Sequence, residues 1–169
     1  MLRQLHWRSV ASVSLQTAAL ALLAFAFFVR APQVSGLSMY PHIASGEYVL
    51  INTVAYRIGH PQRGDIVAFR HERSAPSVYL KRVIGLPGDR VSIDRGVVKI
   101  DGVALAEPYV QYRDRRSFAE VTVPANGLYV LGDNRADSDD SRFWGFVEGD
   151  EVIGKAVAAI WPPARVGAL

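Results

Sequence analysis

From Ser9 to Val29 the chain carries no charged residue, whereas beyond Ala31 short apolar stretches alternate with turn residues. An apolar run of that length suffices for a bilayer-spanning helix, which needs about 20 residues. Its densest part, Ala18 to Val29, has no polar face, which argues against an ordinary buried amphipathic helix. A cleavable leader is the other alternative. Such leaders have a shorter apolar stretch and a small-x-small exit, and here Arg30 and Pro32 stand where that exit would be. The segment 9–29 is therefore expected to be an uncleaved anchor. Arg3 and Arg8 precede it, and Arg30 is the only charge after it until Glu47. The positive-inside bias then puts residues 1–8 in the cytoplasm and 30–169 outside, on a single pass through the cytoplasmic membrane.

The pieces after the anchor have the period and composition of strands: Tyr48 to Ile51, Asp65 to Phe69, Val78 to Ile84, Arg90 to Ile93, Val97 to Ile100, Val103 to Leu105, Glu120 to Val123, Leu128 to Leu131 and Val152 to Ile160. Asp101-Gly102 between apolar runs is a hairpin signal, because both central residues of a type I′ turn need positive φ. Asp94-Arg95-Gly96 joins another pair. The stretches 70–77 and 111–118 are rich in charged and turn residues and are expected to be loops. No amphipathic helix is visible outside the anchor. The pattern predicts a mostly β, antiparallel body on one N-terminal transmembrane helix.

Composition narrows the function. With 169 residues, half of them hydrophobic, the chain has the length of one domain. Its net charge is only +3 despite a pI of about 9.4, and basic residues are interspersed with acidic ones, so nucleic acid is not an expected partner. The absence of cysteine excludes a disulfide framework, a thiol nucleophile and thiolate zinc sites. His6, His42, His60 and His71 share no metal-ligand spacing. Asp133, Asp137 and Asp139 fit positions one, five and seven of a calcium loop. Ser138 and Trp144 then stand where glycine and glutamate are required, so a solvated acidic turn is the plainer expectation. No metal or organic cofactor is implied.

Two segments carry parts of a nucleophilic site. Gly36-Leu37-Ser38-Met39-Tyr40-Pro41 sets a serine between a glycine that allows close backbone approach and a proline that stiffens the exit. Leu80-Lys81-Arg82-Val83-Ile84 places a lysine inside an otherwise apolar β-run, and strand alternation sends Lys81 and Arg82 to opposite faces. A lysine can serve as base to a serine where its neutral amine is accessible. Each segment alone is unspecific, since loop serines are commonly turn residues and strand lysines commonly solvated.

Taken in order, Gly-x-Ser-Met-x-Pro at 36–41, Arg63-Gly64-Asp65-Ile66-Val67, Lys81-Arg82-Val83-Ile84-Gly85-Leu86-Pro87-Gly88-Asp89, and Gly132-Asp133-Asn134-Arg135 with Ser138, Asp140, Ser141 and Arg142 resemble the successive boxes of type I signal peptidases. The resemblance covers Gly36 to Trp161, and the anchor also suits that family. It implies a membrane-bound serine endopeptidase that removes signal peptides from secretory preproteins, with Ser38 as nucleophile and Lys81 as general base. Ser138 would orient the lysine amine, Asp140 and Arg142 would form a supporting ion pair, and the Ser38 N–H would contribute to the oxyanion hole. It further implies shallow pockets for small side chains, near Val34, Gly36, Met39 and Leu80, and as partners the lipid bilayer and the secretion translocon. Gly36 stands where some members carry a hydroxyl that adds an oxyanion contact, so the second donor is unassigned. The secondary β-domain of larger members is expected to shrink to hairpins near 89–124. Two rivals stay open: a self-cleaving Ser–Lys peptidase, which would call for an internal cleavage segment and a DNA-binding helix pair, and a membrane-anchored β-domain for binding or assembly without catalysis.

Overall fold

The computed structural model describes residues 7, 10–20, 28–71 and 77–169. Residues 10–20 are helical and exposed, while 21–27, the middle of the expected anchor's apolar run, and 72–76, most of the first expected loop, lie outside the described residues. No helix among the described residues is long and apolar enough to cross a membrane. At Phe28 the helical conformation ends, because its carbonyl accepts Thr53 N–H and Oγ1–H at 3.1 and 2.9 Å. Val29 therefore enters a sheet.

In chain order the strands are β1 (Val29–Arg30), β2 (Tyr48–Asn52), β3 (Ile66–Arg70), β4 (Val78–Gly85), β5 (Arg90–Asp94), β6 (Val97–Ile100), β7 (Val103–Ala104), β8 (Phe118–Thr122), β9 (Gly127–Leu131), β10 (Val147–Glu148), β11 (Val152–Trp161) and β12 (Gly167–Ala168). Two four-residue helices interrupt them, α1 (Ala55–Ile58) and α2 (Ser141–Trp144). The larger sheet runs β1-β2-β11-β3-β4-β9-β10, with β12 on β11, and the smaller runs β7-β6-β5-β8. Every named pairing is antiparallel. The fold is thus a mostly β, antiparallel one. Hairpin β6–β7 turns on Asp101 and Gly102 with φ of 50° and 82°, and β5–β6 on Arg95 and Gly96 with 48° and 82°, the geometry of type I′.

Strand β3 explains how the site is held rigid. Ile66 and Ala68 pack on one face with Met39, Ile43, Val49, Ile51 and Leu80, while Val67 and Phe69 pack on the other with Val83, Leu128, Val130 and Val147. Covered on both faces, it reads as a continuous apolar run rather than an alternation. Burying each of its larger side chains contributes about 1.5–3 kcal/mol. A third cluster joins the sheets, with Ile84, Tyr129 and Leu131 from the larger meeting Val91, Ile93 and Val98 from the smaller. The aromatic residues after the acidic box separate into different contacts: Trp144 packs against Phe69 and His71, Phe146 against Tyr129, and Phe143 edge-on against Phe118.

Candidate active site

Lys81 sits in the middle of β4, opposite Val67 of β3, and only 3% of its surface is exposed. On its other side the β4–β9 register pairs Arg82 with Leu131, so the residue after β9, Gly132, comes alongside Lys81. Lys81 Nζ donates a hydrogen bond to Ser138 Oγ at 3.1 Å. Burial penalises the ammonium and pushes the lysine pKa down from 10.5 to about 8; Asp140, Asp139 and Asp133 oppose that shift, and Arg142 reinforces it. The sign for stability follows from proton counting. The unfolded chain keeps this proton up to about pH 10.5 and the folded chain only to about 8, so Lys81 adds stability as pH rises through that interval. At neutral pH, holding the lysine in place costs stability.

Ser138 is fixed by the ion pair behind it. Asp140 begins α2, and its fully buried carboxylate accepts from Arg142 Nε and Nη2 at 2.7 and 2.8 Å. The same guanidinium donates to the Ser138 carbonyl at 3.2 Å and to that of Arg135 at 2.9 Å. Asp114, from the loop between β7 and β8, takes another Arg142 N–H at 2.8 Å. Asp140 Oδ2 also accepts Gly132 N–H at 3.1 Å, so one carboxylate ties together the helix start, the serine loop and the end of β9.

Ser38 lies in a turn closed by Tyr40 N–H to the Leu37 carbonyl at 3.0 Å. Asn134 docks this turn on the acidic box: its N–H donates to the Ser38 carbonyl at 3.0 Å and its Nδ2 to the Leu37 carbonyl at 3.2 Å. Gly132 makes the approach possible. A Cβ at that residue would collide with both Ser138 Oγ and the Ser38 carbonyl. Gly132→Ala should therefore separate the two serines and lower kcat/KM for a precursor peptide about 100-fold, since ångström-scale displacements in a site cost that much. Overpacking would cost about 1–3 kcal/mol of stability besides. Activity within twofold of wild type in a steady-state assay would show that the contact does not matter.

Ser38, Lys81, Ser138, Asp140 and Arg142 thus gather around Gly132. Among the described residues Nζ bonds to Ser138 and not to Ser38 Oγ. Val34, Met39 and Leu80 share one apolar cluster, in which Met39 is 2% exposed and offers little surface. Gly36 is exposed.

One expectation is corrected. The acidic box is not a solvated turn at Asp133, which has no exposed surface. Strand alternation aims Arg82 away from Lys81, and its guanidinium grips Asp133 at 2.8 and 2.6 Å, donates to the Gly64 carbonyl at 2.8 Å, and lies 4.2 Å over the Tyr109 ring. Arg82 is therefore neutralised by Asp133, and the like charge acting on Lys81 is Arg142. Sequence reasoning also missed Asp114 and the buried Glu107–Arg135 pair at 2.5 Å, which braces the Gly132 turn through Arg135 Nε to the Gly132 carbonyl at 2.9 Å. Their partners are distant in the chain, and no local signal marks them.

The family described as "Signal peptidase, peptidase S26" matches residues 7–161. The chain is similar to a signal peptidase I of Leptolyngbya laminosa, 37% identical over 157 residues, covering 89% of this chain and 77% of the relative. It is similar also to that of Bacillus caldolyticus, 36% identical over 159 residues, with 86% and 84% covered. A crystal structure of a signal peptidase I from Enterococcus faecalis V583 resembles it at a TM-score of 0.50 with 38% identity, over 56% of this chain and 95% of that one.

Proposed function

Because the chain belongs to the signal peptidase family, peptidase S26, and is a serine endopeptidase that removes signal peptides, we propose that Ser38 is its nucleophile and Lys81 the base serving it. The observation carrying this is the buried Lys81 amine, held by Ser138 and depressed to about 8 beside the Gly132 turn that receives the Ser38 backbone. At a pKa of 8 about a tenth of the amine is neutral at pH 7, against about one part in three thousand at 10.5. Ser38 Oγ attacks the last carbonyl of the leader, and its proton passes to Nζ. Collapse of the tetrahedral adduct expels the new amino terminus, which takes the proton from Nζ. Water then attacks the acyl carbonyl, giving its proton to Lys81 Nζ, and collapse frees the leader's carboxyl group as Ser38 Oγ takes that proton back from Nζ. The Ser38 N–H has no acceptor among the described residues and would stabilise the oxyanion. Hydrogen bonds of this kind tighten when substrate binds, which suits a free enzyme whose Nζ faces Ser138 first.

The membrane part of the reading rests on residues 10–20, where Val10, Val13, Leu15 and Leu20 are each more than half exposed. Thr17 satisfies its hydroxyl on the Val13 carbonyl at 2.9 Å, as a residue in lipid must. We assign the apolar segment that begins at Ser9 as a single anchor, ending at Phe28 rather than at Val29 because Val29 pairs with Asn52 in the sheet, with the β-body outside. Eight residues separate Val29 from Ser38, so the nucleophile stays within about 30 Å of the bilayer, where a translocated leader emerges. Val34, Gly36 and Leu80 would line pockets for small leader residues, with Met39 beneath them. Right-side-out membrane vesicles carrying the protein should cut an impermeant precursor peptide once, after a small residue, without detergent. Inverted vesicles should cut it only after detergent is added. The reverse pattern would overturn the orientation, and no cleavage in either would overturn the reading of the site.

A further inference from the structure

Away from the Ser38 site a cavity of about 1050 Å³ opens where the apolar segment meets the β-body, lined on one side by Phe28, Val29 and Arg30. Arg57 of α1 and Arg70 at the end of β3 face the same space, with His60 between them in the chain. These three arginines come from three separate elements. Among the described residues, only they and Arg113 and Arg115 make no ion pair, although arginines elsewhere in the fold are paired repeatedly. The acidic groups that line the cavity are Asp150 and Glu151, and Glu151 already holds His71 and the Glu148 N–H. Positive charge is in excess.

We propose that this cavity binds the phosphate of an anionic membrane phospholipid, an inference that rests on the anchor reading above. Guanidinium forks match phosphate oxygens in pairs, and three arginines against two carboxylates in the lining leave one positive charge for the single negative charge of a phosphodiester. Position selects lipid as the source of the phosphate. Arg30 directly follows the apolar run, and Thr53 pins Phe28 so that the chain leaves the bilayer at the cavity mouth. Ile58, between cavity residues Arg57 and Gly59, is 88% exposed, an apolar side chain free to enter the acyl boundary if the cavity meets the bilayer surface. Basic residues next to a membrane are drawn to anionic lipid by about 1 kcal/mol each, or about fivefold.

The absence of cysteine allows a clean test on the full-length protein. Ile58→Cys, labelled with an environment-sensitive fluorophore, is reconstituted into vesicles of phosphatidylcholine with rising phosphatidylglycerol. The emission should shift to the blue as phosphatidylglycerol rises, and the mole fraction giving half the change should rise about fivefold for each arginine replaced by glutamine. In the variant carrying Arg30→Gln, Arg57→Gln and Arg70→Gln together the response should vanish while the protein still floats with the vesicles. Equal emission in neutral and anionic vesicles, or an unchanged response in the triple variant, would overturn the site and leave the anchor standing. The same shift on adding inorganic phosphate to neutral vesicles would overturn the lipid assignment. Failure of the wild type to float at all would overturn the anchor and the site together.

Discussion

Ser38→Ala should lower kcat/KM for a precursor peptide at least about 10⁴-fold, with no change in thermal transition or vesicle flotation. The separation of the two effects follows from how Ser38 is held. Its backbone does the packing, through its carbonyl, which accepts the Asn134 N–H, and the turn closed between Leu37 and Tyr40, whereas its Oγ has no hydrogen-bond partner among the described residues. Removing that atom costs the fold almost nothing and the chemistry its attacking group. Ser141 supplies the contrast. Its hydroxyl is buried and accepts Val130 N–H at 2.9 Å, so Ser141→Ala should cost about 1–3 kcal/mol of stability by leaving that donor unpaired, with turnover of the folded protein largely kept. Cleavage lost in Ser141→Ala or Ser35→Ala but retained in Ser38→Ala would mean that the nucleophile lies elsewhere.

Lys81→Arg should be as damaging as Ser38→Ala even though it preserves the charge, because guanidinium does not release its proton near neutral pH. Lys81→Ala should match it. For Lys81→Ala the loss is expected in folded protein, since Lys81 is a destabilising residue at pH 7 and the alanine removes a buried ammonium, whereas Lys81→Arg is to be read on the fraction that folds. Arg82→Ala should behave differently. It leaves Asp133 buried and unpaired, which costs about 3–5 kcal/mol, so its defect should follow the folded fraction and be reversed by lowering the temperature. Steady-state assays read beside thermal transitions separate the two classes. Substantial cleavage by folded Lys81→Arg protein would rule out lysine as the base.

Much of this architecture could be read from local pattern. Strands β2 to β6, β9 and β11 fall where β-branched runs and turn residues put them, within two residues at each end, because each run is short and punctuated by Gly, Asp or Pro. Strands β1, β10 and β12 could not be read, being two-residue pairings created by neighbours rather than by their own composition. Helix α2 was equally hidden: it exists because Asp140 accepts Arg142 N–H at its start, within a stretch that otherwise reads as an acidic loop. At the site, the residues named by the ordered boxes converge on one turn. The bracing around them stayed invisible, since Glu107 and Asp114 meet Arg135 and Arg142 across 28 positions of chain. Asp133 was misjudged for a related reason. An aspartate in a Gly-Asp-Asn turn looks solvated unless the arginine 51 residues earlier is known to reach it.

The claim on which everything else rests is that a lysine with a depressed pKa accepts the serine proton. It is tested most directly by kcat/KM for a precursor peptide measured from pH 6 to 10, on protein verified to be folded throughout. The rate should rise with pH along a limb of unit slope and level off with a midpoint near 8, the value to which burial brings Lys81. A rate independent of pH across that range, or a limb centred near 10, would contradict a buried neutral lysine as the base.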